Sequence, residues 1–268
     1  MTAETPECCT KILTKLGSVH EDLVEITQKR DLNIISSPLS ENGAVLLGFP
    51  GSGLVGTIAL QYLVDQLNFE QIGSMNSRYF PPLAMMNKGL INDPVRIYAK
   101  NIGDTPITAI VADIPIAPPI CYEIASALIG WLEPFKPKEV LTIAGIVTNE
   151  PEKRVFGVAT TPEALQRIQD NTLVLPIGSI SGIASSLLTE CKARTIPAIG
   201  LLGETINAPD PRAAAATIDV LNKMYNLALD IQPLIEQAVE IEQTMGKLAE
   251  EVQQSADTTP KKDLPMYG

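Results

Sequence analysis

Gly51, Gly53 and Gly56 spell G-x-G-x-x-G within "LLGFPGSGLVGTIAL", Leu46 to Leu60. Set between an apolar strand and an apolar helix, such a turn can lay backbone N–H groups against a pyrophosphate. A dinucleotide site also needs a carboxylate roughly 20 residues on, at the end of the second strand, to hold the ribose hydroxyls. Here that strand runs into Asn76, Ser77 and Arg78. Arg78 could meet a 2′-phosphate, but Pro50 and Phe49 fit the fingerprint poorly; a P-loop is excluded more firmly, because no Lys-Ser/Thr pair follows the glycines. Small residues also let a helix pack closely on its strand without any ligand, and that role suffices for this turn.

Other polar groups fall where strands should end. They are Asp113 in "ADIPIAPP", Asn149 and Glu150 in "GIVTNE", Ser179 and Ser181 in "GSISG", and Glu204 in "LLGETINAPD". Ligand crevices of open α/β sheets form at that edge. Gly51, Gly53, Asp113, Ser179, Ser181 and Glu204 therefore outline a candidate crevice for a nucleoside- or phosphate-handling hydrolase or phosphorylase. Nothing in the sequence joins a nucleophile to an activating base, and capping of turns explains Asp113 and Glu204 about as well. The single histidine, His20, rules out a multi-histidine metal site within one chain. Cys8, Cys9, Cys121 and Cys191 show no C-x-x-C spacing and read as free thiols. No metal and no cofactor is expected.

These groups need elements to position them. From Gly43 short apolar runs alternate with helical patterns of 10–15 residues: "AVLLGF", "FEQIGSM", "VRIYA", "ITAIVADIP", "VLTIAGIV", "RVFGVAT", "LVLPIG" and "PAIGLLGE" as strands. Helices are expected over Leu54–Leu67, Ile120–Leu132, from Thr161, and up to Ala193. Strands alternating with helices predict a mostly parallel, mixed sheet covered on both faces, antiparallel at one edge. Residues 1–42 read as a peripheral segment with a short helix near Pro6 to Leu16 and a strand around Val24 to Thr27. Residues 43–209 form the α/β core, 210–254 the C-terminal helices and 255–268 a polar tail. Hydrophobic residues make up 45% of the 268, enough for a large core. No run approaches the roughly 18 apolar residues of a membrane helix, and "MTAETPECCT" has no basic or apolar leader region. A cytoplasmic protein is expected. A net charge of −11 argues against nucleic acid and anionic membranes as partners.

Asp210 and Pro211 form a helix-start signal. After a break, Pro233 opens another helix in which Leu234, Ala238, Ile241, Met245, Leu248 and Val252 recur with gaps of four and three. That a/d seam suits packing against a partner helix or against the chain's own body. The tail "SADTTPKKDLPMYG" has no periodicity and is expected to be disordered when free. It ends in Met266, Tyr267 and Gly268. An apolar side chain, a ring with a hydrogen-bonding tip and a free carboxylate are the parts of a C-terminal docking anchor.

Across Gly43 to Glu250, "GFPGSGLVGTIALQYLVDQL", "SRYFPPLAMM", "DIPIAPPICYEIASALIGW", "VFGVATTPE", "GSISGIASSLL" and "IPAIGLLGETINAPDPRAAAATIDVLNKM" resemble the archaeal proteasome-assembly-chaperone family. The resemblance implies a three-layer α/β/α sandwich of phosphorylase/hydrolase-like shape without that chemistry. It also implies a homo-oligomer, tetramer or pentamer. Some members end in a hydrophobic-Tyr-X motif that inserts between subunits of the proteasome core particle's α-ring, where a lysine meets the carboxylate. Met266, Tyr267 and Gly268 match that motif, with methionine giving the hydrophobic slot less shape definition than Leu or Ile. The expected function is thus a non-enzymatic assembly chaperone, activator or adaptor. The small-molecule enzyme and an oligomeric scaffold with an unrelated partner are the alternatives.

Overall fold

The structure, a computed structural model, describes residues 12–13, 25–29, 32–37, 39–148, 150, 152–206 and 208–240. At its centre lie β4 (Ala44–Gly48), β9 (Thr105–Ala112), β10 (Glu139–Val147) and β13 (Ala198–Thr205), parallel in the order β9-β4-β10-β13. All five residues of β4 are buried. An unbroken apolar run, rather than alternation, is what a strand covered on both faces requires. Val45 and Leu47 face one core and Leu46 the other.

The connecting helices make the outer layers. On the face of Val45 lie α2 (Cys121–Leu132) and α4 (Gly182–Ala193), which bury Leu128 and Leu187. On the face of Leu46 lie α1 (Val55–Gln66), α3 (Pro162–Ile168) and α5 (Pro211–Tyr225), burying Leu60, Ile168 and Ile218. The sheet covered on both faces that the alternation predicts, and the three-layer α/β/α sandwich that the resemblance implies, are present. Starts follow their signals: Thr161 accepts from Ala164 N at 3.2 Å, and Asp210 from Ala213 N at 3.0 Å. Each satisfies an N–H that the first helical turn leaves unpaired.

Antiparallel strands flank both sides of the parallel centre, where one edge was expected. On one side β8 (Val95–Ile102) pairs β9, then β5 (Glu70–Ser77), β3 (Leu32–Ser36), β2 (Glu25–Lys29) and β1 (Ile12–Leu13) follow. Ile12 and Leu13, expected within a helix, are therefore a strand; the rest of that predicted helix lies outside the described residues. On the other side β11 (Val155–Ala159) runs antiparallel to β13 and carries β12 (Leu173–Val174). The strand read in "LVLPIG" shrinks to these two residues. Pro176, lacking an N–H, cannot extend the ladder. A separate hairpin, β6 (Met86–Asn87) with β7 (Leu90–Ile91), leaves the edge at which β9 ends. A further helix, α6, spans 232–240.

Candidate functional site: the carboxyl edge of the sheet

Gly51, Gly53, Asp113 and Glu204 sit where the parallel strands end, whereas Ser179 and Ser181 follow β12, which runs antiparallel to that centre. Gly53 has φ +65°, a conformation L side chains rarely adopt, and is buried. A Cβ there would stand 2.1 Å from Thr205 Oγ1. On Gly56 it would stand 2.2 Å from the carbonyl oxygen of Ile143 in the next strand. Gly51 is exposed, with extended backbone and open space around it. The backbone of Asp210 donates to Gly53 O at 2.9 Å, folding the loop after β13 onto the glycine turn. The Asp210 carboxylate accepts from Thr205 Oγ1 at 3.0 Å and pairs with Lys153 at 3.1 Å. Gly53 and Gly56 thus serve helix–strand packing, and a carboxylate stands beside the turn where a phosphate would need cations.

Asp113 and Glu204 lie on strands separated by β4 and β10, three strand spacings or roughly 14 Å. Each is held by its own arginine. Arg96 reaches Asp113 through both terminal nitrogens, at 2.5 and 3.0 Å, and also donates to Gln61 at 2.9 Å. Arg154 grips the buried Glu204 with Nε at 2.7 Å, Nη2 at 2.8 Å and its backbone N at 3.2 Å. These charge-assisted bonds hold the Glu204 carboxyl below its ordinary range despite burial. Such pairs fix loops to the sheet; Thr148 also hydrogen-bonds Glu204, whose carboxylate Arg154 already holds. Ser179 and Ser181 are exposed, and Ser181 precedes α4 without capping it through its side chain. Asn149 lies outside the described residues.

Among the described residues no group of three or more His, Cys, Asp or Glu could hold a metal ion. Cys121 and Cys191 are buried free thiols, and burial pushes the Cys191 thiol up to about 12, away from thiolate chemistry. Sequence reasoning missed Arg96, Lys153 and Arg154. Nothing in a lone arginine's neighbours along the chain marks it as the partner of a carboxylate 17 or 50 residues away.

Of the heptad seam, Leu234 and Ala238 are each 3% exposed, buried against the chain's own body. Tyr62 Oη donates to Asp230 O at 2.6 Å, and the Asn222 side chain bonds both N and O of Leu229, pinning the turn before α6. Ile241, Met245, Leu248 and Val252, and the terminal Met266, Tyr267 and Gly268, lie outside the described residues.

Residues 45–249 match the model of the PAC2 family. The chain belongs to the PAC2 family. A Methanocaldococcus jannaschii relative of uncharacterised function is 34% identical over 228 residues, covering 85% of this chain and 93% of that protein. PbaA of Pyrococcus furiosus, described as an archaeal homolog of proteasome-assembly chaperone, superposes with a TM-score of 0.75 at 32% identity, covering 85% of this chain and 95% of that one. PbaB of the same organism, described as an archaeal proteasome activator, shares the fold at TM-score 0.75 and 23% identity, covering 82% and 100%. The resemblance to the archaeal proteasome-assembly-chaperone family, carried by segments from Gly43 to Glu250, is borne out. No described helix of this PAC2 chain is long and apolar enough to cross a membrane.

Proposed function

We propose that this PAC2-family chain is a non-enzymatic proteasome-binding factor of the cytoplasm. With Gly268 as its C-terminus, Met266, Tyr267 and Gly268 enter a cleft between core-particle α-subunits, the carboxylate meeting a cation and the ring an apolar groove. The observation that carries the reading is that tripeptide at the end of a polar segment, on a body 32% identical to a proteasome-assembly-chaperone homolog. Fourteen residues reach roughly 46–50 Å when extended, enough to bridge a body and a ring. A tripeptide alone buries little surface, so self-association of the body, with Ile241, Met245, Leu248 and Val252 bundling, supplies several tails at once. The occupied state of Asp113 and Glu204 supports an absence of catalysis.

The test is capture of archaeal core particle by the intact chain, by Tyr267→Ala and by a chain amidated at Gly268. Both changes should abolish capture. Undiminished capture by either removes the tail from the mechanism.

A further inference from the structure

The β6–β7 hairpin is the most exposed apolar feature of the described residues outside the loop at Ile177. Met86 is 68% exposed, Leu90 73% and Ile91 67%, with Leu83 half-exposed beside them. The hairpin pairs only with itself, forming a two-stranded sheet apart from the main one. Lys88 and Gly89 both have positive φ, the two-residue turn that matches strand twist. An isolated hairpin of two residues per strand is marginal in water, and apolar surface gathered this way marks an interaction site.

Charge identifies the occupant. Arg78 and Lys88 against Asp93 give residues 78–93 one net positive charge in a chain whose total is −11. A partner surface of the opposite sign exists on the same molecule. Three to five strand positions along the same edge, roughly 14–24 Å away, stand Val147 and Ile206, both half-exposed. Beside them Lys153 and Arg154 are already paired with the buried Asp210 and Glu204, which leaves Glu150 and Glu152 as the acidic groups of the surface. Glu150 and Glu152 remain exposed.

We propose that the β6–β7 hairpin of one copy seats on the acidic apolar patch around Val147, Glu150, Glu152 and Ile206 of the next. The contact is head-to-tail. Two hairpins packed about a two-fold axis would set one cationic patch against another and leave the acidic patch uncovered. Head-to-tail contacts close into rings when the rotation permits.

The inference rests on the self-association proposed above, and not on tail docking. Light scattering of the full chain tests it. Intact protein should have the mass of a multimer, and Leu90→Asp with Ile91→Asp should dissociate at least tenfold more readily toward subunits of 28.8 kDa. Circular dichroism of that variant should match the intact chain, because both side chains are exposed. Lys88→Glu should weaken association roughly tenfold through like-charge contact. Adding Glu150→Lys and Glu152→Lys to it should restore association. Intact protein with the mass of one subunit overturns both the self-association and the hairpin contact. A multimer undiminished by the Asp substitutions overturns the hairpin contact alone. So does a hairpin variant that keeps its mass but no longer captures core particle, which would assign the hairpin to that partner. Failure of the triple swap to restore association overturns the head-to-tail pairing.

Discussion

Gly51 and Gly53 look equivalent in the motif and are opposite in the structure. At Gly53 a methyl group meets both a left-handed backbone and Thr205, so Gly53→Ala should cost about 2–5 kcal/mol, the conformational penalty plus overpacking. Gly51→Ala meets open space and should change stability by no more than about 0.5 kcal/mol. Urea unfolding of the two variants measures the difference, and a nucleotide-binding turn would not predict that asymmetry. Glu204 offers a second measurement at this scale. Its folded-state pKa lies below the ordinary 4.5 because Arg154 favours the carboxylate. The stabilisation is therefore complete above about pH 4.5 and is lost as pH falls through the folded value. Glu204→Gln should be less stable than the intact chain at pH 7, and the gap should close on acidification.

At the level of elements, what distinguishes α6 is that its apolar stripe begins on its own body. Leu234 belongs to the core formed by α1 and α5 and the sheet, and the pinned turn from Leu227 to Ile231 sets the angle at which α6 leaves. Leu234→Ala should cost roughly 2–5 kcal/mol as a buried leucine truncated to a methyl group. Multimer mass should stay unchanged, because this position faces inward. Calorimetry with light scattering on one sample reads both. The strand-end loops obey the same logic. Arg96 ties β8 to the end of β9, and Arg154 ties the start of β11 to β13, so polar side chains at the carboxyl edge hold antiparallel flanks on a parallel centre.

For the whole molecule, affinity for a large partner depends on how many tails one frame presents. Linked sites gain 10²–10⁴ in apparent affinity without any new contact. A variant held as a single subunit, its tail intact, should therefore bind immobilised core particle more weakly by about that factor, with the loss in dissociation rate. Surface binding kinetics of intact and single-subunit chains measure it. Equal dissociation rates would mean that each tail, or the body, acts alone.

Much of this protein is local and therefore legible along the chain. The unbroken apolar run of β4, the caps Thr161 and Asp210, and the hairpin of β8 and β9 each depend on neighbours within a few residues. The family was legible too, through the resemblance of several whole segments together. The fate of the polar edge was not local. Asp113 reads alike whether it faces a ligand or Arg96, and Glu204 alike whether it is a catalytic acid or the anchor of Arg154. The exposed hairpin at Met86 to Ile91 reads as ordinary apolar sequence until the fold leaves it outside. Ionic partners and exposure are properties of distance in space, and only the tertiary structure brings residues 17 or 50 positions apart to within hydrogen-bond reach.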